Sequence, residues 1–194
     1  MKRDNCDRPT CSTDLMGTER PLYVTTAGNE TVEVRPSVEA VGEDPIQGAA
    51  FAGDSRDLVN AVEDASIDLV VTSPPFALQR KKEYGNKSPK EYVEWFLDFA
   101  EGIYDALAEN GSFVIDIGGG WQKGKPLRSH YHFKLLSALT DDDGLLADRI
   151  DESFNLAQDF YWYNPAKLPT PAQWVTIERI RVKDAVNHVW WLSK

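Results

Sequence analysis

The sequence predicts an α/β protein, a mainly parallel twisted sheet with flanking helices, and three observations predict it. Residues 68–72, Asp-Leu-Val-Val-Thr, form an apolar run that stops at Ser73-Pro74-Pro75-Phe76. Residues 92–107 carry Tyr92, Val93, Phe96, Leu97, Phe99, Ala100, Ile103 and Leu107, the spacing of a helix with a broad apolar face. Phe113-Val114-Ile115-Asp116-Ile117 is a second apolar run, ending in Gly118-Gly119-Gly120. Short buried runs separated by an amphipathic helix are the pattern of parallel strands joined by a helical crossover.

The elements follow in order. Residues 1–20 are polar and aperiodic, and a disordered leader is expected there. Residues 22–26 and 31–34 read as a hairpin across Ala27-Gly28-Asn29, followed by a connection through Pro36, Pro45 and Gly48. Gly53-Asp54-Ser55 opens a helix, because Asp54 or Ser55 can cap it and Leu58, Val59 and Val62 share a face. The strand at 67–72 follows. Its two prolines lack N–H donors and hold φ near −65°, so they end the ladder and stiffen a loop at the strand's carboxyl end, where open α/β sheets place ligands. Ser88-Pro89-Lys90-Glu91 is a capping signature with Pro89 at the first helical position of a helix that continues through 92–107, and Asn110-Gly111 is expected to end that helix. After the strand at 113–117, a helix is expected from about Arg128 to Leu139. Strands at 154–163 and 185–192 complete the set, with short antiparallel pairs toward the end.

Composition sets bounds. A chain of 194 residues with 42% hydrophobic content can bury one core, so residues 21–194 are expected to form a single domain. No apolar stretch is long enough to span a bilayer, and the polar start Met1-Lys2-Arg3-Asp4-Asn5 is unlike a signal peptide, so a cytoplasmic protein is expected. Cys6 and Cys11 lie in the polar leader with no His nearby; neither a metal site nor a disulfide framework is expected.

The formal net charge of −10 opposes nucleic-acid binding as a global property, but the distribution does not. Arg80, Lys81, Lys82, Lys87 and Lys90 face Glu83 alone within residues 79–90. Residues 121–134 hold Lys123, Lys125, Arg128 and Lys134 with His130 and His132, and no acid. Acid gathers instead around Asp141-Asp142-Asp143, Asp148, Asp151 and Glu152. A hydroxyl and carbonyls fixed beside an aromatic ring at Ser73-Pro74-Pro75-Phe76 suit a flat ligand with an amino edge, such as a nucleic-acid base.

Residues 71–86 resemble the catalytic segment of DNA methyltransferases that modify exocyclic amino groups, most closely the PvuII-type cytosine-N4 modification methylases. Residues 113–119, Asp159-Phe160-Tyr161-Trp162, Asn164-Pro165, Lys167-Leu168-Pro169, and 183–187 through Val189-Trp190-Trp191 resemble the same family in the same order. The resemblance covers roughly residues 51–194. It implies a Rossmann-like fold that uses S-adenosylmethionine, with double-stranded DNA as substrate in a restriction-modification setting. It also implies that Ser73 and the Pro74 carbonyl accept the two amino hydrogens of a flipped base, within a stiff loop completed by Pro75, while Phe76 stacks on that base. Serine at the first motif position goes with cytosine-N4 in this family, and Asp or Asn with adenine-N6, which remains the alternative. The matching acid, Asp116, either holds Ser73 or receives the released proton; a cap on the glycine loop is the competing role. Asp54, Thr72 and Ser73 fall at the family's cofactor positions. Arg80, Lys81, Lys82, Lys123 and Arg128 are candidate DNA contacts, with base recognition expected from the loop at 123–132. Trp162, Trp190 and Trp191 are expected in the core.

The family places its cofactor glycine loop after a target-recognition region that follows the catalytic half, and no such loop follows Trp190-Trp191. The fold is therefore expected to be incomplete, residues 21–194 being its catalytic part, and a second polypeptide carrying the cofactor-loop half is an expected partner. The strand at 184–192 is expected to pack on that half. An inactive DNA-binding remnant is one alternative; a complete small-molecule methyltransferase using Gly118–Gly120 as its cofactor loop is another. The acidic surface with local basic loops matches a protein adapted to a salt-rich interior. Solubility of the chain is expected to hold in concentrated KCl, measured by light scattering across a salt series; precipitation with rising KCl would contradict this.

Overall fold

A computed structural model of the chain describes residues 53–77 and 87–194. The expected leader, the hairpin at 22–34, both cysteines, and Arg80, Lys81 and Lys82 lie outside the described residues. Residues up to Glu63 and from Asp64 onward form two compact units.

In the first unit, helix α1 (Ser55–Ala61) begins as predicted: the Asp54 carboxylate accepts the Arg56 backbone N–H at 3.0 Å. The Arg56 guanidinium closes on the same carboxylate at 2.6 Å and holds its pKa down to about 2.

The second unit is an α/β layer. Strand β1 (Ile67–Thr72), helix α2 (Tyr92–Ala106) and strand β2 (Leu107–Ile117) form a crossover whose two strands pair in parallel. Strands β3 (Gly120–Trp121) and β4 (Arg128–Ser129) make a short hairpin. Helices α3 (Tyr131–Thr140) and α4 (Ala147–Ile150) follow, then strands β5 (Asn155–Tyr163) and β6 (Val186–Ser193), with a π-helical turn at Gln173–Ile177 between them. The main sheet runs β1-β2-β6-β5, with β6 antiparallel to both neighbours. It is an α/β sheet with flanking helices, as predicted, although within the described strands the antiparallel ladders outnumber the parallel one. The reason is that β5 and β6 pair along most of their length as one antiparallel ribbon.

One face of this sheet is packed. Alternation sends Phe113, Ile115 and Ile117 of β2 and Trp190 and Leu192 of β6 to it, all at most 1% exposed. α2 covers it with Tyr92, Phe96, Leu97, Ala100 and Ile103, and α3 adds Tyr131, Leu135 and Leu139. Phe96 and Phe113 stack with ring centroids 6.4 Å apart, and Phe154 meets Phe113 at 5.4 Å. The other face carries Val71, Val114, Trp191, Phe160 and Trp162. Val71 is 67% exposed and Trp162 52%, so within this unit no described element covers that face. Of the three tryptophans expected in the core, Trp190 alone is buried; Trp162 and Trp191 alternate onto the uncovered face.

Other local expectations need correction. α2 starts at Tyr92 rather than at Pro89, and the box closes through Glu91, whose carboxylate accepts the Ser88 hydroxyl at 2.6 Å. Asn110-Gly111 does not end the helix, which stops at Ala106. It lies in a bulge of β2 where the register jumps from Ile67↔Leu107 to Leu69↔Ser112. A Cβ at Gly111 would come within 2.6 Å of Leu107 Cγ, so the bulge needs glycine. Arg128 begins no helix because Arg128-Ser129 pairs back on Gly120-Trp121, delaying α3 to Tyr131. Finally, β6 is an inner strand of the described sheet, whose edges are β1 and β5, so any packing of β6 on further polypeptide is through its face.

Phe113→Ala removes a fully buried ring packed against Phe96 and Phe154, and is expected to cost about 3–5 kcal/mol, measured by urea unfolding.

Candidate active site

The parallel register of β1 on β2 pairs Thr72 with Ile115, so the next residues, Ser73 and Asp116, leave the two strands side by side. By alternation Thr72 falls on the helix-covered face, and Ser73 and Asp116 on the uncovered one. There the exposed Ser73 hydroxyl donates to Asp116 Oδ2 at 3.3 Å. Asp116 Oδ1 accepts from Asn187 Nδ2 at 3.0 Å, and Asn187 Oδ1 accepts from Lys167 Nζ at 2.6 Å. Asn187, only 4% exposed, comes from β6, and Lys167 from the loop after β5. The amide orientation of Asn187 follows from its partners, because an ammonium can only donate and a carboxylate only accept. Four residues from four parts of the sequence thus form one hydrogen-bonded network, in which Lys167 donates to Asn187, and Asn187 and Ser73 both donate to Asp116.

The proline loop is fixed from beneath. Pro74 and Ala77 are buried, with Pro75 and Phe76 half-buried. Phe76 lies in the space a side chain at Gly118 would need: a Cβ there would come within 2.6 Å of its ring and 3.1 Å of Asn187 Oδ1. The buried Tyr131 phenol donates to the Gly118 carbonyl and is hydrogen-bonded to the Ala77 backbone, tying the proline loop to the glycine segment. Burial pushes that phenol above its usual range. A Cβ at Gly119 would overlap the Arg128 guanidinium. Gly118 and Gly119 are therefore filled by protein side chains, which removes the reading of Gly118–Gly120 as an open cofactor cradle.

Arg128, a sequence candidate for phosphate contact, pairs with Asp184 at 2.7 Å and stands over the Trp121 ring at 5.0 Å. Lys123 is exposed on the β3–β4 turn. Asp54 belongs to the first unit; its side chain is 40% exposed. Sequence reasoning missed Asn187, Lys167 and Tyr131 as site residues. The motifs at 167–169 and 183–187 were visible, but their relation to Ser73 arises only from strand pairing. Behind the glycine segment, His132 is 3% exposed, and burial together with His188 and Arg128 pushes its pKa down to about 4.

A family model described as DNA methylase, N6_N4_Mtase, matches residues 67–194. The type II methyltransferase M.PvuII of Proteus hauseri is 54% identical over 147 residues, covering 76% of this chain and 41% of that protein. M.SfiI of Streptomyces fimbriatus is 32% identical over 115 residues, 48% of this chain and 27% of that protein. Among solved structures, the PvuII DNA methyltransferase (cytosine-N4-specific) superposes with a TM-score of 0.61 at 51% identity, over 74% of this chain and 48% of that one. The chain spans less than half the length of these relatives.

Buried His132 stays neutral in the fold, whereas an unfolded histidine takes up a proton near pH 6.5. The unfolded state binds the extra proton, so stability is expected to fall as pH drops from about 6.5 toward 4, by up to about 1.4 kcal/mol per pH unit. Urea unfolding at pH 7 and pH 5, with His132→Leu flattening the difference, measures this.

Proposed function

The chain belongs to the N6_N4_Mtase family of DNA methylases, and from that premise we propose that it carries the catalytic part of a cytosine-N4 methyltransferase acting on double-stranded DNA. The observation that supports this most is the Ser73–Asp116 hydrogen bond at the paired ends of β1 and β2. Because the Ser73 hydroxyl donates its hydrogen bond to Asp116, the serine oxygen keeps its lone pairs for a substrate donor. With the Pro74 carbonyl it accepts the two hydrogens of an exocyclic amino group, which draws the nitrogen toward a tetrahedral shape and frees its lone pair. Phe76 supplies the face against which the flipped base rests. Asp116, held by Asn187, keeps Ser73 in place and lies within reach of the proton released after transfer.

S-adenosylmethionine, when bound, supplies the methyl group as the electrophile. Its fit to this chain is tested by two features. Asp54 offers a partly exposed, ionised carboxylate that suits an adenine amino group, and Ser73, with Thr72 before it, lies at an exposed strand end. The remaining contacts would come from a cofactor-loop segment on further polypeptide, joined to this chain or separate from it. Arg80, Lys81, Lys82 and Lys123 are the proposed phosphate contacts; Arg128 serves instead to hold the loops together.

Transfer of labelled methyl from S-adenosylmethionine to duplex DNA is the test, with the chain alone and with a cofactor-loop half added, followed by nucleoside analysis. N4-methylcytosine is expected, and Ser73→Ala is expected to lower the rate by about 10²–10³-fold. N6-methyladenine as product would overturn the base assignment, transfer indifferent to Ser73→Ala would overturn the site, and no transfer in either arrangement would favour a remnant.

A further inference from the structure

Two segments that adjoin the Ser73 network are fastened to one another. One is the β3–β4 hairpin, residues 120–129; the other is the loop between β5 and β6, residues 164–185. Three different contacts join them: the Trp121 and Trp174 rings at 5.5 Å, Arg181 Nε donating to the Pro126 carbonyl at 2.7 Å, and the Arg128–Asp184 pair at 2.7 Å. Each segment also touches the site. Arg128 abuts Gly119, and Lys167 donates to Asn187.

Their shared surface has the opposite charge to the rest of the chain. The two segments carry seven Lys and Arg side chains against two acids, in a chain of net charge −10. Lys123 and Lys125 stand exposed at the hairpin turn, and Arg179 is exposed on the loop at a positive φ of 57°. Between the loop cations, Ile177 and Val182 protrude, 69% and 85% exposed. Cations interleaved with bare aliphatic side chains suit a ligand whose rim is phosphate and whose floor is sugar and base edges, which is a duplex groove. A partner protein for this face would need a dense acidic surface, and nothing on the chain calls for one.

We propose that the hairpin and the 164–185 loop act as one duplex-DNA clamp beside the Ser73 site, held closed by the Arg128–Asp184 pair. This deepens the methyltransferase reading and rests on it. The clamp gives an acidic chain a local means of holding phosphates, and it aligns the duplex next to the strand ends that would receive an extruded base. The latch has a specific consequence. Asp184 is an acid on a phosphate-binding face, so simple electrostatics says that removing it strengthens DNA binding; if its work is to seat Arg128 and with it the hairpin, removing it weakens binding.

The test is fluorescence anisotropy of the full chain with a labelled mixed-sequence duplex across a salt series, with circular dichroism confirming the fold of each variant. Lys123→Ala/Lys125→Ala and, separately, Arg179→Ala are expected to lower the slope of log affinity against log salt by about 0.9 for each phosphate that is no longer neutralised. Lys194→Ala, at the opposite end of the sheet where its ammonium donates to the Leu107 carbonyl, is expected to leave the slope unchanged. Asp184→Ala is expected to weaken binding several-fold. If the unaltered chain binds duplex and the Lys194 control lowers the slope while the clamp variants do not, the clamp is overturned while the DNA reading stands. Tighter binding by Asp184→Ala would overturn the latch, and no duplex binding by the unaltered chain would overturn the clamp even if methyl transfer is found.

Discussion

Everything at the site depends on the register of one parallel strand pair. With Thr72 opposite Ile115, the serine that follows β1 and the aspartate near the end of β2 emerge together on the same side of the sheet. A slip of one residue would send Asp116 to the packed face, an unpaired carboxylate among the apolar side chains of α2 and β6, and would turn Phe113 and Ile115 out of it, both severely penalised. The hydrophobic alternation of β2 therefore enforces the polar geometry at its end. The proline loop extends the same constraint, since Tyr131 and the space at Gly118 leave Phe76 a single seat.

The sheet divides the molecule's tasks between its faces. On the packed face, aromatic contacts among Tyr92, Phe96, Phe113 and Phe154 provide a rigid support. On the solvent side of α2, Arg149 gathers Glu94, Asp98 and Glu101 into one cluster, and three carboxylates on one helix stay compatible because one guanidinium serves them all. On the uncovered face lie the polar network, Trp162 and Trp191.

How much of this was legible in the sequence depended on whether its cause was local. β1 and β2 could be read because each is a short apolar run halted by proline or glycine, and α1 because Asp54 caps it from two residues away. The β3–β4 hairpin could not, since two paired residues on each side have no periodicity and are held by Trp174 and Asp184 from far along the chain. Trp162 looked like core because a strand's sequence shows its alternation but not which face is covered. Ser73 and Asp116 were legible as a pair through family resemblance. Asn187 and Lys167 were not, because their link to Asp116 exists only once β6 lies against β2 and β5 against β6.

The strand order also dictates an assembly problem for the chain. β1, α2 and β2 are consecutive, and so are β5 and β6, so each group can close over a modest loop. The central ladder joins residues far apart: Trp191 Nε1 reaches Ser112 Oγ at 2.9 Å across 79 positions. Two locally formed halves thus meet along β2 and β6, and that meeting carries most of the entropic cost of the topology. The seam between the halves is also where Asp116 meets Asn187, so the polar network is complete only once the two halves have met.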